Sequence, residues 1–445
     1  MTSLRDAAPV LPVVAVVAAL ALPITQGAEG GAIPADVVSG LLVLWCAVRL
    51  LRDRRRPLTR TAAVVLGLPV LGLALAAAGA IDPGAGVAGL GRYLQIFVLV
   101  PMAVLLGIRN RSDFRVVVWS FVGLALWQGA VGVHQFATGT GASYSGENIR
   151  AVGTFGAGDV MGMATVVSFG LVCAVGLALA PATAKQRAWA LTCSALLVLP
   201  LAVSFSRGAW IATAAACGLQ VVLAGLRRAV VVFAAVAAVG VVLVGGLGIG
   251  SVMLQDRISS ITQVADAPDQ SVIDRYTMWA AAADMWRERP LTGVGLKGFP
   301  EHRDGHASLA LSSGSDIAGA GTTYQKQSLL SPHNMYLLVL SEQGLIGFLT
   351  LAGSWLLLAV CGVRNLARVR RGDGTGGLDC GLAACGLVVW VLVDFVYADI
   401  GGPTTVLTAV CFGLVAWWAL ADRTATGAVP VGAVASRVPE EAGAR

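Results

Sequence analysis

Long apolar runs alternate with short polar connections along almost the whole chain. Runs of roughly 17–25 residues, long enough to cross a hydrocarbon core of about 30 Å, recur along it. They lie near 8–25, 35–51, 61–80, 88–107, 114–134, 158–180, 187–204, 208–225, 229–248, 332–360, 378–397 and 402–421. The pattern predicts an all-α polytopic membrane protein with about 12 transmembrane helices. One interval departs from it: residues 249–331 are mostly polar and are expected to form a large external loop containing short amphipathic helices. The chain thus divides into helices 1–9 over 1–248, the loop over 249–331, helices 10–12 over 332–421, and a tail over 422–445.

The connections sort by charge. RLLRDRRRPLTR (49–60), RNRSDFR (109–115), KQR (185–187), RR (227–228) and RNLARVRR (364–371) are basic. QGAEGGAIPAD (26–36), IDPGAG (81–86) and ADIGGPTT (398–405) carry no Lys or Arg. Their alternation predicts a multi-pass protein of the bacterial cytoplasmic membrane with both termini cytoplasmic and the 249–331 loop outside. The first run follows a single Arg5 and lacks a convincing cleavage site, and removing it would break the alternation, so it reads as a helix and not a signal peptide. No internal repeat is evident, nor the inverted pair of broken helices typical of transporters.

Composition agrees. Of 445 residues, 56% are hydrophobic and 13% charged, against roughly 25% charged in a soluble domain. The net charge of +6 raises the question of nucleic acid. The basic residues are spread over alternate loops with no contiguous basic face, so no nucleic-acid partner is expected. All eight Cys lie in apolar segments or at their cytoplasmic ends, without a CxxC, and read as small packing residues.

On this topology His134, His302, His306 and His333, with Arg150, Arg207, Arg275, Glu147 and Asp394, face outward, and Arg92 lies just inside the outer end of the fourth run. Any chemistry should therefore open outward. In SPHN (331–334) Ser331 suits an N-cap and Pro332 the first helical turn. The run from there to residue 360 would be roughly 43 Å long at 1.5 Å per residue, so His333 should project to headgroup level. A positive helix end favours neutral imidazole, able to take a proton from a hydroxyl, and also suits phosphate. Arg207, in SFSRGAW, opens a span with its charge on the wrong side of the dipole, which marks it as a site cation or an interfacial anchor. Arg275 lies in DRYTMWAAAADMW, which suggests an amphipathic helix lying on the membrane. Two arginine forks suit a diphosphate. EHRDGH (301–306) spaces two histidines as a helical metal site would, but Gly305 and the Ser/Gly-rich stretch beyond favour a mobile loop, so no metal is assigned. Glu342, Asp394, Arg92 and Asn334 are supporting candidates: acids or cations at apolar spans, and the residue after the histidine.

In combination, SFSRGAW, RYTMWAAAADMWRERPLTGVG and SPHNMYLLVLSEQGLIG, with about twelve spans and one large outer loop, resemble the O-antigen ligase and polymerase superfamily. The resemblance implies an inverting glycosyltransferase of the GT-C type that needs no metal or other cofactor. It would move a glycan from an undecaprenyl diphosphate carrier to a hydroxyl of a glycan, lipid or protein acceptor, with His333 as base and Arg207 and Arg275 on the diphosphate. Alternatives are a polymerase of lipid-linked repeats and a transporter or flippase of lipid-linked sugars. The polar stretch 300–330 lies outside the motifs and is a candidate for acceptor choice.

Overall fold

The computed structural model describes residues 9–23, 33–53, 58–144, 149–156, 159, 161–179, 183–241, 270–319, 325–327, 329–372 and 377–421. The 422–445 tail, Glu147 and the first part of the polar interval lie outside the described residues.

Each of the twelve apolar runs contains a helix. The first nine are α1 (Leu11–Ala19), α2 (Pro34–Asp53), α3 (Arg60–Ala78), α4 (Pro83–Gly107, with a π turn at Gln95–Leu99), α5 (Arg111–Thr138), α6 (Gly162–Leu179), α7 (Ala184–Val203), α8 (Arg207–Ala224) and α9 (Leu226–Val241). The last three are α12 (Met335–Arg370), α13 (Leu378–Asp394) and α14 (Thr405–Leu420). Among the described residues α2 to α8 and α12 are long and apolar enough to cross a membrane, eight helices in all. The protein is an all-α polytopic membrane protein. Starts fall where a short polar residue precedes an apolar run. The side chains of Thr59, Asn110, Thr183 and Ser206 accept amide N–H bonds from the first turns of α3, α5, α7 and α8.

The described part of the polar interval folds onto one end of this bundle. It supplies α10 (Gln270–Glu288), α11 (Phe299–His306), β2 (Ser315–Gly319) and β3 (Gln325–Gln327). β1 (Ala142–Tyr144), from the connection after α5, pairs antiparallel with β2, which pairs antiparallel with β3. Two expectations change here. The EHRDGH stretch is helical, with Pro300 in its first turn, and the stretch beyond it forms strands because the partner strand arrives from the α5–α6 connection. α10 also buries its apolar face, Met278, Ala281, Ala282 and Met285, inside the protein and against α12. Tyr276, two residues before Met278 in the same helix, is 61% exposed.

The largest departure lies in α12. At Gly344 the backbone turns to φ 62°, ψ −165°, a region open essentially to glycine alone, and the helix breaks. Along a straight helix the rings of Tyr336 and Trp355 would stand roughly 28 Å apart at 1.5 Å per residue. Their centroids are 6.2 Å apart, and those of Tyr336 and Phe348 are 6.4 Å apart. The stretch Met335–Gln343 therefore folds back beside the continuation of its own helix. The connection between α10 and α11 fills the gap. Val294 and Gly295 donate N–H bonds to the carbonyls of Ser341 and Glu342 at 2.8 and 3.0 Å, and Leu345 and Ile346 donate to Pro290 and Leu291 at 2.8 and 3.1 Å. Each such group left unpaired in a lipid-like interior would cost several kcal/mol. PLTGVG and EQGLIG are thus the two halves of one joint. This fold-back sets His333 beside Phe395, at the end of α13, and not at the tip of a straight extension of α12.

Candidate functional site

His333 sits between Pro332 and the N-cap Asn334, whose side-chain oxygen accepts the Leu337 N–H at 3.1 Å. The cap is thus Asn334, not Ser331, and His333 precedes the helix with a left-handed backbone, φ 48°. Three ties hold it there. Trp279 of α10 donates its indole N–H to the Pro332 carbonyl at 2.9 Å, and the Met335 N–H reaches the carbonyls of Phe395 (2.8 Å) and Ala398 (3.1 Å). Among the described non-glycine residues, positive φ occurs only at Phe205, Lys297 and His333. Such conformations cost on the order of 1–3 kcal/mol and gather where the surroundings over-determine them.

The charges around His333 come from two elements. Arg275 of α10 and Asp399, in the turn after α13, both act on its imidazole. Burial pushes the His333 pKa below the ordinary imidazole value, the Asp399 carboxylate pulls it up in part, and Arg275 pushes it down again. Neutral imidazole is therefore the favoured form near pH 7, as the sequence leads one to expect, although desolvation is the larger cause. Arg275 itself is exposed. Its neighbour Asp274 points the other way, buried, and accepts the Ser312 N–H (2.8 Å), the Ser312 hydroxyl (2.6 Å) and the Gln270 amide (2.8 Å). Asp274 thereby anchors the strap leading to β2.

Arg207 is the first residue of α8 and is exposed. Ser206 caps the helix, and Phe205, strained at φ 50°, packs on Phe136 with ring centroids 6.0 Å apart. A Cβ on Gly208 would lie 3.5 Å from that of Tyr397. The Asp394–Asp399 turn thus touches the start of α8 on one side and His333–Met335 on the other. Through it the structure brings Arg207, Arg275, His333, Asn334 and Asp394 to one end of the bundle, with Asp399 among them.

Two candidates are held by other partners. Arg92 pairs with Asp36 and donates to Gln95 at 3.1 Å, joining α4 to α2. Glu342 accepts the Phe299 N–H at 3.3 Å beside Lys297 in the Gly344 joint, and it also feels the Asp399 carboxylate, so the joint and the His333 site meet at these two acids. His302 and His306 also stand apart. Each turns Nδ1 to the carbonyl four residues back at 2.9 Å, and His306 Nε2 lies 3.2 Å from Glu288. Sequence reasoning missed Asp399, Tyr397 and the Trp279 tie. Asp399 stood in view in ADIGGPTT, a connection noted only for lacking positive charge.

The O-antigen ligase family model matches residues 192–352. Over those residues the chain is similar to an O-antigen ligase domain. The matched stretch of that domain runs from within α7 to within α12 and includes Arg207, Arg275, His333 and both halves of the Gly344 joint, while Asp394 and Asp399 lie beyond it. No curated protein sequence matches the chain. The match supports a family of lipid-linked glycan ligases or polymerases.

Proposed function

We propose that the protein transfers a glycan from an undecaprenyl diphosphate carrier to an acceptor hydroxyl at the outer face of the bacterial cytoplasmic membrane. The observation that carries this reading is the imidazole of His333, kept neutral by burial and flanked by Arg275 and Asp399. On this reading His333 takes the proton of the acceptor hydroxyl as its oxygen attacks the anomeric carbon with inversion. The anomeric C–O bond breaks, its electron pair leaves with the diphosphate, and Arg207 and Arg275 stabilise that charge as it develops. Asp399 supports the imidazolium, the strained backbones at Phe205 and His333 hold Arg207 and the imidazole in place before substrate arrives, and helix α10 carries Arg275.

In liposomes without any ion gradient, the purified protein given lipid-linked donor and acceptor should release undecaprenyl diphosphate and lengthen the acceptor. Movement of donor across the bilayer with no release would instead support a flippase. Arg207→Ala and Arg275→Ala should each weaken donor binding about tenfold or more, and lysine at either position should recover little, because the paired fork of the guanidinium is lost. Full recovery by lysine would mean that a point charge suffices and the bidentate diphosphate contact is absent.

A further inference from the structure

The end of the bundle opposite His333 carries a feature that glycan transfer does not use. A cavity of about 100 Å³ is lined by Arg115 and Trp119 of α5, Leu177 of α6, Gln186 of α7 and Asp379 of α13. Arg115 forks onto Asp379 through Nε and Nη2, the latter at 3.1 Å from Oδ1, and its Nη1 makes no hydrogen bond among the described residues. Its side chain is 46% exposed. One positive and one negative charge cancel here, so the sign of the site is set by what surrounds them. The helices α5, α7 and α13 all begin at this end with positive dipole ends, while α6 ends here and its Leu179 carbonyl accepts from the Arg228 guanidinium at 2.9 Å. The Arg111 side chain lies over the start of α13, with Nε 2.8 Å from where a Cβ on Gly377 would stand. Lys185 and Arg187 flank Gln186. The lining joins a guanidinium and an amide to the apolar Trp119 and Leu177, with Trp119 one turn deeper along α5 than Arg115, a mixture that suits phosphate beside glycerol and acyl chain.

We propose that this cavity binds the phosphodiester headgroup of an anionic phospholipid and clamps α5, α6, α7 and α13 together. Phosphatidylglycerol added to the delipidated protein in detergent should raise its melting temperature by a few degrees and remain bound in native mass spectrometry. Phosphatidylcholine, which carries the same phosphate beside a cation, should do neither. Arg115→Gln should cut phosphatidylglycerol retention about tenfold. Because that change also orphans Asp379, Gln186→Leu serves as the second variant: it breaks no ion pair, and it should reduce retention while leaving the lipid-free melting temperature in place. Equal effects of both lipids, or undiminished retention in both variants, would overturn the proposal. A matching shift with inorganic phosphate alone would also overturn it, since the site would then take a free anion and not a headgroup.

Discussion

His333→Ala is expected to lower glycan transfer by about a hundred- to ten-thousand-fold, the usual contribution of a positioned general base, while donor binding stays near its original strength. The separation matters because His333 also occupies a strained backbone position, φ 48°, so a loss of activity has two readings. Asparagine tolerates that conformation better than most residues. His333→Asn should therefore fold at least as well as the parent and still fail to transfer. Recovery of transfer in the asparagine variant would leave His333 a conformational role only. The neighbours give a sharper test, with opposite signs. Since the base must be neutral, transfer should rise with pH through the lowered pKa of His333 and then level off. Asp399 raises that pKa, so Asp399→Asn should move the rising limb to lower pH. Arg275 lowers it, so Arg275→Gln should move the limb to higher pH, beyond its effect on donor binding. Shifts in the same direction for both variants, or none, would remove His333 from the titration that governs the rate.

The contrast between what the sequence showed and what it hid has a physical cause. Apolar runs, caps and the basic loops are local features, and each of the twelve predicted runs contains a helix. Arg207, Arg275 and His333 were visible because a cation or imidazole at an apolar boundary is rare and costly wherever it falls. Asp399 was not, because an acid in a polar turn is unremarkable until the fold sets it beside an imidazole. The strands were hidden for the same reason: β1 and β2 are separated by the length of α6–α11, and neither has a pattern that announces the other. Arg92 misled in the opposite way. Its position matched an intramembrane site, yet Asp36, more than fifty residues away in sequence, neutralises it. The break in α12 was the least legible feature: Ser341-Glu342-Gln343 interrupts the apolar run just before Gly344, but the apolar residues on both sides read as one continuous span.

That break yields the second large expected effect. Gly344→Ala should abolish transfer and lower stability, although alanine is the better residue in an ordinary helix. Two costs add. A side chain at φ 62°, ψ −165° is strained by on the order of 1–3 kcal/mol, and its Cβ would lie 2.4 Å from the Leu291 carbonyl carbon and oxygen. Gly293→Ala attacks the same joint from the other side, its Cβ meeting the Glu342 carbonyl carbon and the Ser341 oxygen at 2.5 Å. Gly353, in the regular part of the helix, has only Leu68 Cδ2 at 3.9 Å, so Gly353→Ala should be neutral or slightly stabilising. The chain has one easy escape from the strain at 344, which is to straighten. Straightening would carry the His333 end roughly 33 Å from Trp355 at 1.5 Å per residue, away from Asp399 and the start of α8. It would also uncover four backbone hydrogen bonds between 290–295 and 341–346. A spectroscopic distance between labels at Leu330 and Leu357, both exposed, should lengthen in Gly344→Ala and stay fixed in Gly353→Ala. If Gly344→Ala keeps both the short distance and full transfer, the joint is not what holds His333 in place.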